Sequence, residues 1–524
     1  MDHEQLPLPG IGDMVLGTPH RLSHNKANSQ PTSGDMVLGF MPSAYQKAIF
    51  DWLASGQGSC VVSAVPGSGK TTTLIKGANF IPKNLRSRFL AFNKHIADEL
   101  NRKLPKHIEA STIHSLGLSS LCRAFRNMPE INKRKYSVIV KDYLADRKVH
   151  SPLEYHRLVS LVKFSQLTLA DPSNSTTLKQ LCHYYGLPSI GDWDFIQKAV
   201  FEILEIGIRQ CREFISYEDM VWLPSVLNLP VYSYDFLCVD EVQDLNAAQI
   251  DIVMRAYKAG ARGIFVGDER QAIMGFSAAD RQSIANIIER RSAIQLPLSI
   301  CYRCPTTHIE LANQIYNVIE PRQNAPLGTV KLIKIAEIPK LAKAGDLIIC
   351  RCFYPLIPVY YELLKAGIAA KIKNKDIASQ LNSLLGEIVG ESVKKYSCQE
   401  FTNTLQAWYE SRKKEMLADG VPITVVVDLH DRILTLNAIY TGNHCQDTAE
   451  LTGAIERLSK GDFNEVFLTT IHGSKGLEAE RVFHIRPDLL PHPRAEKDWE
   501  KEQEKNLQFV AATRAKHDLF LANK

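Results

Sequence analysis

No stretch of this chain carries the roughly 18 consecutive apolar residues that a membrane span requires. Its opening MDHEQLPLPG also lacks the basic-then-apolar pattern of a secretory leader. These two absences point away from a membrane partner and toward a cytoplasmic protein. The 11 cysteines are scattered, several inside apolar runs such as FLCVD and LIICRC, so the sequence has no disulfide framework and reads as reduced thiols. Its one Cys-x-x-Cys, Cys301 and Cys304, lacks the second ligand pair of a zinc site. Neither charge sign dominates: 62 basic against 57 acidic residues give a net +5 at pH 7. A nucleic-acid partner would therefore be held through local patches rather than one basic tract.

Residues 1–40 are rich in Pro, Gly, Ser and Asn and show no sustained period, which reads as a flexible arm. GDMVLG occurs in it twice, at 12–17 and 34–39. The repeat is either a partner-binding motif that gains avidity or a small duplication without function. From 41 onward, short β-branched runs alternate with helical patterns. SCVVSAV, RFLAF, YDFLCVD and RGIFVGD form one series, and TVKLIKI, GDLIICRC, EVFLTTIHG and RVFHIRP a second. Strands alternating with helices imply an α/β fold with parallel sheets and functional loops at the strands' carboxyl ends. The expected organisation is a first lobe of 41–112 and 231–298 with a helical insert at 113–230. A second lobe of 299–375 and 462–524 carries a smaller helical insert at 376–461.

AVPGSGKTTT follows an apolar strand and opens a helix, the setting of a phosphate-binding loop. Gly67 and Gly69 permit the tight turn, and the amides of 67–71, Ser68 included, face the phosphates. Lys70 would hold the β- and γ-phosphates of ATP and Thr71 would ligate Mg²⁺. In LCVDEVQD a strand delivers Asp240, which would hold the metal. Glu241 beside it has the reach to deprotonate an attacking water. A solvated acidic loop is the plainer reading of that pair taken alone, and a small-molecule kinase would also use such a loop.

At this point the chain resembles superfamily 1 helicases of the UvrD/Rep type. PSAYQKAI, AFNKHIADEL, TIHSLG, VDEVQDLN, VGDERQAI, LSICYRCP, TIHGSKGLE and NLQFVAATRAK follow in that family's order. The resemblance implies two RecA-like P-loop lobes and an ATP-dependent, 3′-to-5′ DNA translocase and helicase, working on single-stranded and tailed duplex DNA. It implies that Gln46 reads adenine, that Tyr302 stacks on it, and that Glu478 contacts the ribose. Gln271, Arg303 and Arg514 would sense or stabilise the γ-phosphate. Strand contacts would fall to Phe92, Thr112, His114, Phe276 and His472. For each side chain a plainer reading stands beside the functional one: core packing for Phe92 and Tyr302, an exposed helix position for Gln46, a surface arginine on a last helix for Arg514.

Two departures bear on the grip. QAIMGFSAAD has Met274 and Ser277 where the resemblance leads one to expect a tyrosine and an arginine. The second insert is also short for the family. An ATP-gated remodeller that displaces bound proteins without efficient unwinding is therefore the alternative. The leading QLPLPG resembles peptides that dock on replication sliding clamps, which would give the arm a protein partner.

Overall fold

The computed structural model describes residues 41–524 apart from 186, 189–190, 274–281, 373–376, 391, 419–420, 422, 459–464, 493–494 and 496. The arm, its repeat and Phe276 lie outside the described residues. Two compact units are present, one ending at Ser299 and the other running from Ile300 to Lys524.

The first unit is built on strands β1 (Ser59–Ala64), β2 (Ser87–Ala91) and β3 (Ile108–Thr112). A short parallel pair, β4 (Glu130–Ile131) and β5 (Phe214–Ile215), stands apart before β6 (Tyr234–Val239), β7 (Tyr257–Gly267) and β8 (Ile294–Leu298). The six long strands form one parallel sheet in the order β3-β2-β6-β7-β1-β8. Alternate side chains serve opposite faces, as the strand period of two demands. Val62, Phe89, Phe236 and Ile264 pack under the helices Ala44–Ser55, Lys70–Gly77 and Lys94–Lys103. Val61, Leu90, Leu237 and Phe265 pack under Ile113–Phe125, Ala247–Arg255 and Ser283–Arg291. Covering both faces explains the apolar runs CVV, FLCV and IFV within the central strands β1, β6 and β7.

Between β3 and β6 the chain is helical. The helices Lys135–Asp146, Pro152–Thr168, Ser175–Tyr185 and Trp193–Arg209 enclose a separate core around Val140, Leu161, Val200 and Ile203. One fully buried ion pair ties that core together. Asp219 accepts from Lys135 Nζ at 2.7 Å, Tyr136 Oη at 2.8 Å, Gln166 Nε2 at 2.9 Å and the Ser216 amide at 3.0 Å. Lys135 Nζ also donates to the Gly207 carbonyl at 2.8 Å.

The second unit begins with a parallel pair, β9 (Ile300–Cys301) and β10 (Glu320–Pro321). Its sheet comprises β11 (Thr329–Lys334), β12 (Leu347–Cys350), β13 (Ala370–Ile372), β14 (Val466–Thr470), β15 (Ala479–Ile485) and β16 (Ala515–Asn523). The order is β11-β16-β15-β12-β14-β13, again parallel throughout. Helices from Ile377 to Arg457 sit between β13 and β14 and share one continuous core with a face of this sheet, from Ile348, Leu468 and Phe483 to Phe401, Leu436 and Tyr440. Both units are thus parallel α/β layers. Among the described residues no helix is long and apolar enough to cross a membrane.

Asp219→Ala would leave the Lys135 ammonium buried without its carboxylate, at a cost of about 3–5 kcal/mol. Urea unfolding should show the loss as a lower midpoint; an unchanged midpoint would mean the pair does not hold the inserted helices.

Candidate functional site

The first unit places its chemistry at the carboxyl ends of neighbouring strands. β1 is buried except at half-buried Ser63 and delivers the chain into Val65–Gly69, where Gly67 (φ 68°) and Gly69 (φ 77°) take the left-handed region that side chains disfavour. Gly69 caps the helix Lys70–Gly77, whose first amides have no carbonyl of their own helix to bond. The hydroxyl of Ser68 is buried with no hydrogen-bond partner among the described residues. Helix-start amides with an orphaned hydroxyl beside them suit an oxyanion ligand.

Opposite this loop, β6 ends at Val239 and presents Asp240 and Glu241. Lys70 Nζ lies 3.6 Å from Glu241 Oε1. Burial works against the Lys70 ammonium, but the carboxylates of Glu241, Asp240, Asp268 and Asp244 outweigh it and hold its pKa above the ordinary value. Asp240 is pushed up to about 7, by burial first and then by the Glu241 carboxylate, with Lys70 opposing. Four carboxylates act on this ammonium, and Arg270 pairs with one of them, Asp268, at 3.1 Å, so negative charge still exceeds positive here. Among the described residues no three carboxylates gather as a metal set, but the oxygens of Asp240 and of the exposed Thr71 are the hard donors that a divalent cation carried with a polyphosphate takes.

Glu241 has φ 52°, a conformation uncommon for a side chain with a Cβ. Gln243, which the motif reading did not single out, holds it there. Its Nε2 donates to Glu241 Oε2 at 2.5 Å, and its Oε1 accepts the Asp268 amide at 3.1 Å. Asp268 in turn accepts Gln271 Nε2 at 2.8 Å. The buried amide of Gln243 therefore links Glu241, at the end of β6, to Gln271, beyond the end of β7. A Cβ at Gly267 would meet Gln243 Oε1 at 2.5 Å, so the close approach of β7 requires glycine there.

The adenine candidate Gln46 is buried. It closes the N-terminal capping box of the helix Ala44–Ser55, and its Nε2 donates to Thr73 Oγ1 at 3.0 Å, tying that helix to the one behind the phosphate loop. Phe92, Thr112 and His114 cluster where the adjacent strands β2 and β3 end. Phe92 is 41% exposed. Thr112 caps the helix Ile113–Phe125, its hydroxyl accepting the Ser115 amide at 3.1 Å. Burial pulls the His114 pKa down, Glu218 opposing, so its imidazole is neutral at pH 7.

In the second unit, three motifs far apart in sequence meet at one corner. Tyr302 stands 40% exposed after β9. Arg303 pairs with Glu478 and sends Nη1 to the Thr513 carbonyl at 3.4 Å, while its Nε is buried without a partner among the described residues. Lys516 Nζ lies 3.0 Å from the same Glu478. Burial resists, but Arg303 and Lys516 hold the Glu478 carboxyl below its ordinary value. Arg514 is not on a helix surface. It falls between the helix Asp498–Ala512 and β16, only 2% exposed, with Nε on the Val510 carbonyl at 3.1 Å and Nη1 on Leu477 and Ser474 carbonyls at 3.1 and 3.4 Å. His472, past the end of β14, is pulled down to about 3 by burial and then by Arg351 and Lys475. As a neutral ring it would meet a ligand by stacking or hydrogen bonding rather than by charge.

Two family models match the chain: the UvrD/REP helicase N-terminal domain over residues 46–291 and the UvrD-like helicase C-terminal domain over residues 465–522. Similar proteins include the ATP-dependent DNA helicase Rep of Escherichia coli (strain K12), 23% identical over 310 residues that cover 53% of this chain and 44% of Rep. F-box DNA helicase protein 1 of Schizosaccharomyces pombe is 22% identical over 508 residues, 88% of this chain and 55% of that protein. Rep of Salmonella typhimurium is 20% identical over 603 residues, 88% of each. The chain therefore spans only part of the first two relatives.

The raised Asp240 predicts a stability effect. A carboxyl whose folded pKa is near 7 against an ordinary 3.8 keeps a proton in the folded state that the unfolded chain gives up, so stability falls as pH rises through that window. Asp240→Asn should raise the melting temperature of the nucleotide-free protein by an amount that grows from pH 4 to 7 and then levels off. Thermal unfolding with no gain at pH 8 would contradict this.

Proposed function

We propose that the chain, which the UvrD/Rep-type N- and C-terminal domain models match, is a helicase of that family: an ATP-dependent DNA translocase and helicase moving 3′ to 5′ on single strands. The observation that carries the reading is the Lys70 ammonium facing Asp240 and Glu241 beside the Val65–Gly69 loop. In this reading Gly67, Ser68, Gly69 and Lys70 hold the phosphates, and Thr71 and Asp240 hold Mg²⁺, which neutralises charge on the phosphates. Glu241 takes a proton from the attacking water, and Gln271, linked to it through Gln243 and Asp268, reports on the γ-phosphate. Gln46 and Tyr302 flank the base, and Glu478 contacts the ribose.

Arg303 and Arg514 stabilise the charge that spreads over the transferred phosphoryl group, an effect on the order of 10³–10⁵ in rate. They belong to a different unit from Lys70. The strand is gripped by Phe92, Thr112, His114, Phe276 and His472; a base stacked on one ring contributes about 1–3 kcal/mol whatever its sequence. The remodeller reading is favoured by Met274 and Ser277, which supply neither a flat ring nor a guanidinium for the strand.

Wild type should hydrolyse ATP faster with single-stranded DNA, and Lys70→Ala should reduce that rate by about a hundredfold or more. In the same preparation, duplexes with 3′ tails should be unwound in preference to those with 5′ tails. Undiminished hydrolysis by Lys70→Ala would end the reading. Hydrolysis with displacement of a bound protein but no unwinding would select the remodeller.

A further inference from the structure

Cys301 and Cys304 bracket Tyr302 and Arg303, and neither thiol is used by the function above. Both are buried, in the turn from β9 to the helix Thr306–Ile315. The Cys304 amide donates to Cys301 Sγ at 3.3 Å. The Cys304 thiol lies against that same sulfur and 3.6 Å from the Thr513 carbonyl. Among the described residues no further side chain joins the pair as a metal-binding set.

We propose that Cys301 and Cys304 form a reversible dithiol–disulfide site, oxidised by small peroxides, whose closure slows nucleotide turnover. The geometry supplies an attacking sulfur and a resolving one. Hydrogen bonds from the Cys304 thiol, against the opposition of burial, and then from the amides of Cys304 and Arg303, with the charge of Arg303, pull the Cys301 thiol down to about 7. Cys304 is pushed the other way, first by its bond to Cys301 and then by burial. Among the described residues no such hydrogen bonds act on Cys60 and Cys182, and burial pushes both up to about 12, where they are inert.

The Cys301 thiolate attacks a peroxide oxygen, the O–O bond breaks, and hydroxide leaves, giving a sulfenic acid. The Cys304 sulfur then attacks Cys301 Sγ as its own proton goes to the departing hydroxide, which leaves as water. In sum, two thiols lose two electrons and two protons, and the peroxide becomes two waters. The new bond takes Cys304 from the Thr513 carbonyl and tightens the turn that carries Arg303. The effect on turnover rests on the role proposed for Arg303; the modification itself does not.

The test treats the full chain with hydrogen peroxide, quenches it, alkylates every remaining thiol under denaturing conditions and maps the peptides by mass spectrometry. The expected product is a peptide with Cys301 and Cys304 both unalkylated and lighter by two hydrogens, restored by dithiothreitol. In Cys304→Ser, Cys301 should instead be trapped by dimedone as its sulfenic acid. Oxidation of the exposed Cys398 with Cys301 and Cys304 still fully alkylated would overturn the proposal. DNA-stimulated hydrolysis should fall at least about tenfold on oxidation and recover with dithiothreitol. A disulfide that forms with hydrolysis unchanged overturns the control of turnover. A reduced chain that never hydrolyses ATP counts instead against the helicase reading.

Discussion

The first unit's site depends on an ammonium held among carboxylates at the edge of a parallel sheet. At 3.6 Å the gross attraction between Lys70 and Glu241 is on the order of 4 kcal/mol at an effective dielectric near 20, much of it offset by desolvation. The surplus of negative charge matters more than that pair. Burial, and then the neighbouring carboxylate, leaves Asp240 partly protonated near neutral pH, and the surplus disfavours a bare polyphosphate while favouring one that arrives with a cation. Strand order makes the arrangement possible. β7 lies beside β1 and β6 beside β7, so two acidic strand ends share the carboxyl edge with the phosphate loop, and β2 and β3 carry Phe92, Thr112 and His114 along the same edge.

The second unit's corner follows a related logic. Arg303 is held by Glu478, which Lys516 shares, and Arg514 is fixed by three backbone carbonyls. For Arg303, meeting a phosphate means exchanging one anion for another rather than shedding water, which keeps the change in free energy small in either direction. Arg514 fastens the end of the helix Asp498–Ala512 to the turn before Glu478. Movement of one therefore bears on the other. The cysteine pair sits against the same Thr513 carbonyl, which is why its oxidation state bears on this corner.

Much of the architecture was legible because central strands buried on both faces must be largely apolar, as the CVV of SCVVSA and the FLCV of YDFLCV are. The edge strands were harder. β3 (IEAST) and β8 (IQLPL, with Pro297) are half-covered and mixed in character, and only pairing with β2 and β1 makes them strands. The phosphate loop could be read because its glycines and lysine are contiguous. Gln243 could not, since its bridge to Asp268 spans 25 residues and appears only when β6 and β7 lie side by side. Lys135 and Asp219 look like surface charges until folding brings 84 residues of separation to a single buried contact. The last motif, FVAATRAK, has the composition of a helix, yet the chain leaves helix at Ala512 and enters β16 at Ala515, turning Arg514 inward.

The account is tested most directly by Glu241→Gln, which keeps the shape of the carboxylate and removes its charge and basicity. Labelled ATP binding and single-turnover hydrolysis should be measured side by side with saturating single-stranded DNA. The expected result is binding retained within a few fold and hydrolysis slowed by about a hundredfold or more. Hydrolysis at the wild-type rate would show that the carboxylate facing Lys70 is not the group that activates water.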